Sequence, residues 1–96
     1  MEEYVKRMIL ERENLTEKIN KLSDFILSDD FRKVERKERR KMHKQLKFMG
    51  KYREVLNDRI ALHCTIEEDE QYVKSLKETE NKKPLKSKKK NGSKEN

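Results

Sequence analysis

Met42 to His63 constrains this chain more than any other stretch. Steps of four and three run through Met42, Leu46, Met49, Arg53, Leu56, Ile60 and His63. Five of the seven are apolar, which is a heptad seam on a helix. A second stripe lies beside it: Phe48, Tyr52, Val55, Arg59 and Leu62. A helix with two apolar stripes needs more than one partner. The first thirty residues are the expected first partner, and further copies of the chain the second.

That first partner reads as a helix over residues 2–28. Val5, Met8, Arg12, Leu15, Ile19, Leu22 and Ile26 hold its heptad positions, and neither Gly nor Pro interrupts it. At ~1.5 Å per residue it spans roughly 40 Å. A helix this polar holds only if its seam is buried. Ser28-Asp29-Asp30 then marks a turn, because short polar side chains bond nearby backbone. Phe31 and Val34 read as an apolar latch across the turn. The second helix starts at Glu35 or Arg36, with no strong cap, and runs to about Cys64. Gly50 inside it is either a tolerated surface glycine or a place of close approach. Thr65-Ile66-Glu67-Glu68 fits a capping box, so a short third helix over 65–79 follows, unless the second simply continues.

The expected fold is therefore all-α: an antiparallel two-helix hairpin over 1–64, a short helix or extension over 65–79, and a disordered Lys-rich tail over 80–96. Only 31% of the 96 residues are apolar and 47% are charged, a poor supply for a monomeric core. A homo-oligomer is the expected remedy. Pairing Ile26 with Met42 makes facing residue numbers total about 68. Arg12 then falls level with Leu56, and Arg53 level with Leu15.

Charge is arranged in blocks. Residues 1–30 carry 8 acids and 5 bases, 31–54 carry 3 and 11, 55–80 carry 7 and 3, and 81–96 carry 1 and 7, leaving +7 in all. This pattern favours contact between unlike blocks or capture of an anion. The run Arg36, Lys37, Arg39, Arg40, Lys41 and Lys44 admits nucleic acid as a partner, with help from the tail. It equally fits a solvated face balancing the acids of the first helix.

One cysteine, Cys64, leaves no internal disulfide and suits a reduced cytoplasmic setting. No apolar run reaches membrane-spanning length, and the acids at Glu2 and Glu3 are unlike a signal peptide. His43, His63 and Cys64 lack metal-ligand spacing, and no phosphate loop or nucleophile motif occurs. Neither enzymatic activity nor a cofactor is expected.

One neighbourhood combines apolar, aromatic and cationic groups. Arg12 and Arg53 interrupt the facing seams in adjacent layers, with Tyr52 and Arg59 on the flanking stripe. Arginine forks suit phosphate, and tyrosine offers a stacking face. The alternative is that both arginines reach the seam edges and pair with Glu11, Glu13 or Glu54. The ligand-binding candidates are Tyr4, Arg7, Arg12, Tyr52, Arg53 and Arg59.

Several of these positions carry a resemblance. Tyr4–Arg7 with Glu11, then Leu15, Ile19, Leu22, Phe25-Ile26, a Ser-Asp turn and Phe31, then Gln45, Met49, Tyr52, Leu56 and Arg59-Ile60, resemble a family of small phage-encoded helical-hairpin proteins. The similarity covers residues 3–62. The usual member starts its second helix with glutamates, where this chain has Arg36, Arg39 and Arg40. Such hairpins look like the phage sponge proteins that disarm CBASS and Thoeris immunity. The resemblance implies a helical homo-oligomer that holds a cyclic nucleotide or ADP-ribose-type signal without catalysis. A nucleic-acid-binding accessory protein and a partner-binding hairpin are the other readings.

Overall fold

A computed structural model describes residues 1–82, with side chains to residue 78. It holds three α-helices: α1 over Glu3–Ile26, α2 over Arg36–Ala61 and α3 over Ile66–Lys82. A 3-10 turn, Asp29–Lys33, joins the first two. The described residues are all-α, without strands. The Lys-rich stretch from residue 83 onward lies outside them. The chain divides into two units, Met1–Thr65 and the residues from Ile66 on.

In the first unit, α1 and α2 lie side by side. Tyr4 meets His63, Arg12 meets Asn57 and Thr16 meets Arg53. Partner numbers fall as α1 advances, so the two helices run in opposite directions. The three pairs total 67, 69 and 69, against an expected 68.

The core follows the heptads. Val5, Met8, Ile9 and Leu15 of α1 are buried against Leu56 and Ile60 of α2. Ile9 is completely buried, and it lies one residue off the expected seam beside Met8. Toward the turn the seam residues Ile19, Leu22, Ile26, Met42, Leu46 and Met49 are half-buried. The well-packed core therefore sits at the end of the unit away from the turn.

The helix ends have local causes. α1 stops at Ile26, two residues short of expectation, because the Ser28 hydroxyl donates to the Phe25 carbonyl at 2.6 Å. A serine that takes a late carbonyl competes with continuation of the helix. Phe31 does act as a latch. Its ring sits edge-on to Phe25 at 6.1 Å and edge-on to His43 at 5.4 Å, tying the two helices at the turn.

The start of α2 is better capped than expected. The Glu35 carboxylate accepts from the backbone N–H of Lys37 at 3.0 Å and of Glu38 at 3.2 Å. Glutamate is not among the favoured N-cap residues, which hides the signal in the sequence. Its negative charge also suits the positive end of the helix dipole. Gly50 is a surface glycine: a Cβ added there meets nothing within 4 Å.

α2 ends at Ala61, and the N–H groups of His63 and Cys64 both bond the Ile60 carbonyl. The second helix therefore does not continue through Cys64, and α3 starts directly after Thr65. Within α3, Tyr72, Val73 and Leu76 are half-buried, while Ile66 is 74% exposed.

Candidate functional site

The two seam-breaking arginines take different roles. Arg12 does not reach out to solvent; only 7% of it is exposed. Its guanidinium donates from Nε and pairs through a terminal nitrogen with one Glu13 oxygen, both at 3.0 Å. The other terminal nitrogen donates to Asn57 Oδ1 at 3.2 Å. A buried cation demands a counter-charge and hydrogen-bond partners, and Glu13 and Asn57 supply both.

Arg53, half-buried one layer away, donates from Nε to the Thr16 hydroxyl at 2.6 Å. That hydroxyl donates in turn to the Arg12 carbonyl at 2.8 Å. The result is one polar layer through the apolar seam, running from Arg53 through Thr16 to the backbone of Arg12. Thr16 and Asn57 were not candidates. Each lies one place off a heptad position, so spacing alone gives them no weight.

Beside this layer runs a groove of about 340 Å³ along α1, walled on the far side by Tyr52 of α2. Arg7, Leu10, Glu11, Asn14, Leu15 and Lys18 line it. They recur at three- and four-residue steps and so share one face of the helix. Arg7 and Lys18 stand about 16 Å apart along the axis, at ~1.5 Å per residue. Each cation is exposed, and among the described residues neither has a carboxylate partner within 4 Å. Tyr52 is 45% exposed and Leu10 43%, leaving apolar surface in a polar frame.

Of the six candidates, the structure brings Arg7 and Tyr52 into this groove. Arg12 and Arg53 lie behind it, between the helices. Tyr4 stands at the start of α1, its ring edge-on to His63 at 5.2 Å, with a 3.2 Å hydrogen bond between its hydroxyl and Nδ1. Arg59 is exposed on the outer stripe of α2. Leu10, Asn14 and Lys18 were missed. The signal was present in the spacing 7, 11, 14, 18, but it becomes a site only once Tyr52 is set opposite.

The groove brings together two cations, an aromatic ring, an amide and a carboxylate. Two separated cations suit phosphates, and charge-assisted bonds to them are the strong ones. Tyrosine offers a flat face to a base. Asn14 presents a donor and an acceptor, the pair that reads an adenine edge. Glu11, between the cations, repels anions and can accept hydrogen bonds from hydroxyl groups.

Among the described residues no group of three His, Cys, Asp or Glu side chains is placed to hold a metal ion. No helix among them is long and apolar enough to cross a membrane. No curated protein and no solved structure matches the chain. A family model does, over residues 2–62, which takes in all of α1, the turn and α2. The chain therefore belongs to the Sequestin family.

Proposed function

We propose that this protein sequesters a small anionic nucleotide signal, of the cyclic nucleotide or ADP-ribose type, by stoichiometric binding without catalysis. The observation that carries the reading is the groove that Arg7, Lys18 and the half-exposed Tyr52 line together. The family name, which denotes sequestration, supports it. So does the resemblance to phage proteins that disarm host immunity, and in this reading the protein acts in the host cytoplasm.

In this reading Arg7 and Lys18 clamp phosphates, and Tyr52 stacks on a base. Arg12 and Arg53 brace the wall behind. The groove volume lies at the lower end of the ~300–1,000 Å³ of small-molecule sites. It is open to solvent in a single chain, and phosphate contacts strengthen when water is excluded. A second copy of the chain supplies the lid. Tyr4, Phe48, Val55 and Leu62 are 47%, 55%, 53% and 79% exposed and are the surface such a copy would cover. Across that contact Tyr4 and Arg59 come within reach of the ligand. Light scattering should then give a multiple of the 11.7 kDa chain mass, and a monomer with ligand bound rules out the lid.

The test is calorimetric titration with cyclic dinucleotides and cyclic ADP-ribose isomers. At least one should bind and be recovered chemically unchanged after heat release. Arg7→Ala removes a charged hydrogen bond worth about 1.5–3 kcal/mol, so affinity should fall roughly 10- to 150-fold. Tyr52→Ala removes a stacking contact worth about 1–3 kcal/mol per base. Binding that survives both changes, or a panel without any ligand, refutes the proposal. An altered ligand refutes the non-catalytic part.

A further inference from the structure

The groove leaves one strongly charged surface unexplained. Arg36, Arg40, Lys44, Lys47 and Lys51 are all exposed. Their steps of four, four, three and four put them within an arc of about 80° on α2, over about 22 Å of its length. The buried residues Leu56 and Ile60 lie on nearly the opposite side of the helix. Among the described residues none of the five cations has a carboxylate within 4 Å. On this face no apolar side chain falls between Arg36 and Lys51, and the row ends where Glu54 and Asp58 continue it.

Five like charges in a row repel one another, so a helix gains nothing in stability from the arrangement. An acidic protein surface is the poorer match, because protein interfaces centre on apolar or aromatic anchors and this row has none. A straight, evenly spaced row of long cationic stems matches a rigid linear polyanion. The absence of aromatics from the row removes base stacking and leaves only the backbone to contact.

We infer that this face of α2 docks the phosphate backbone of duplex nucleic acid, without reading its sequence. The surface is separate from the groove, since Tyr52 lies about 120° around α2 from the centre of the row. Binding is electrostatic and releases counterions, which sets its salt dependence. Neutralising about five phosphates gives a log–log slope of about −4.5, at about 0.9 per phosphate. Raising salt from 50 to 200 mM should therefore weaken binding about 500-fold.

The experiment is fluorescence anisotropy of a labelled 20-base-pair duplex of mixed sequence with the full chain. The expected result is binding at 50 mM salt with that slope, unchanged by scrambling the sequence. The triple variant Arg40→Gln, Lys44→Gln, Lys47→Gln should flatten the slope to about −2, at about 0.9 per remaining phosphate. It should keep wild-type helicity and wild-type nucleotide affinity. Wild-type duplex binding by the triple variant overturns the inference, because cations elsewhere would then carry it. Lack of duplex binding at 50 mM salt overturns it too. Tighter binding to single strands or to polyglutamate would assign the face to those partners instead.

Discussion

Ile9→Ala should remove most of the stability of the first unit. Ile9 is fully buried between α1 and α2, and truncating such a side chain leaves a cavity costing about 2–5 kcal/mol. A folded unit of this size has only about 3–10 kcal/mol in total, at ~0.05–0.15 kcal/mol per residue. The variant should lose helical circular dichroism at a temperature where the parent is folded. Ile9→Val, at about 0.5–1.5 kcal/mol, should remain folded. Leu10→Ala is the matched control, because its neighbouring side chain is 43% exposed and lies in the groove. An Ile9→Ala protein melting within a few degrees of the parent would show that the α1–α2 seam is not the source of stability.

The second large effect is a contrast at Arg12. Arg12→Ala opens space in the core and strips the half-buried Asn57 and Glu13 of their partner. An unsatisfied buried polar group costs about 1–3 kcal/mol, and the lost packing adds to it, so a loss of at least about 2 kcal/mol is expected. Arg12→Met keeps much of the volume and removes the charge together with its desolvation. It strips Asn57 and Glu13 of their partner as the alanine does, but leaves far less empty space. Arg12→Met should therefore lose about 1–3 kcal/mol for the unpaired groups, and less than Arg12→Ala by the packing lost. Urea midpoints compare the two directly. Equal losses for Arg12→Met and Arg12→Ala would mean that the ionic network, not the filling of space, holds this layer.

Both predictions rest on a seam that was readable in the chain. Val5, Met8, Arg12, Leu15, Ile19, Leu22 and Ile26, and Met42 through Ile60 in heptad steps, are all buried or half-buried. Spacing reveals burial because a helix turns by a fixed angle per residue. His63 is the exception: it is exposed because α2 ends two residues before it. The Glu35 cap was not legible, since a glutamate caps only when its longer side chain folds back.

The candidate site was half legible. Arginine between two seams implies a polar layer, but its partners depend on rotamers and on the facing helix. Asn57 rather than Leu56 receives Arg12, and Thr16 rather than Leu15 receives Arg53. The groove needed one more fact, which side of α1 faces Tyr52. That is a rotation about the helix axis, and the chain specifies it only through the packed pair.

The polar layer has a consequence for which helices can pair at all. Leucine, isoleucine and methionine fill most of both seams, and such seams superpose about as well after a slip of seven residues. They would also match a seam of another copy. Arg12 with Asn57, and Arg53 with Thr16, tolerate neither exchange. A slip separates both pairs, and α1 against a second α1 buries Arg12 without Asn57. A lone polar contact in a heptad core selects register and partner in this way. The seam of α1 is thereby reserved for an α2 in this one register, and a second α1 is excluded from it.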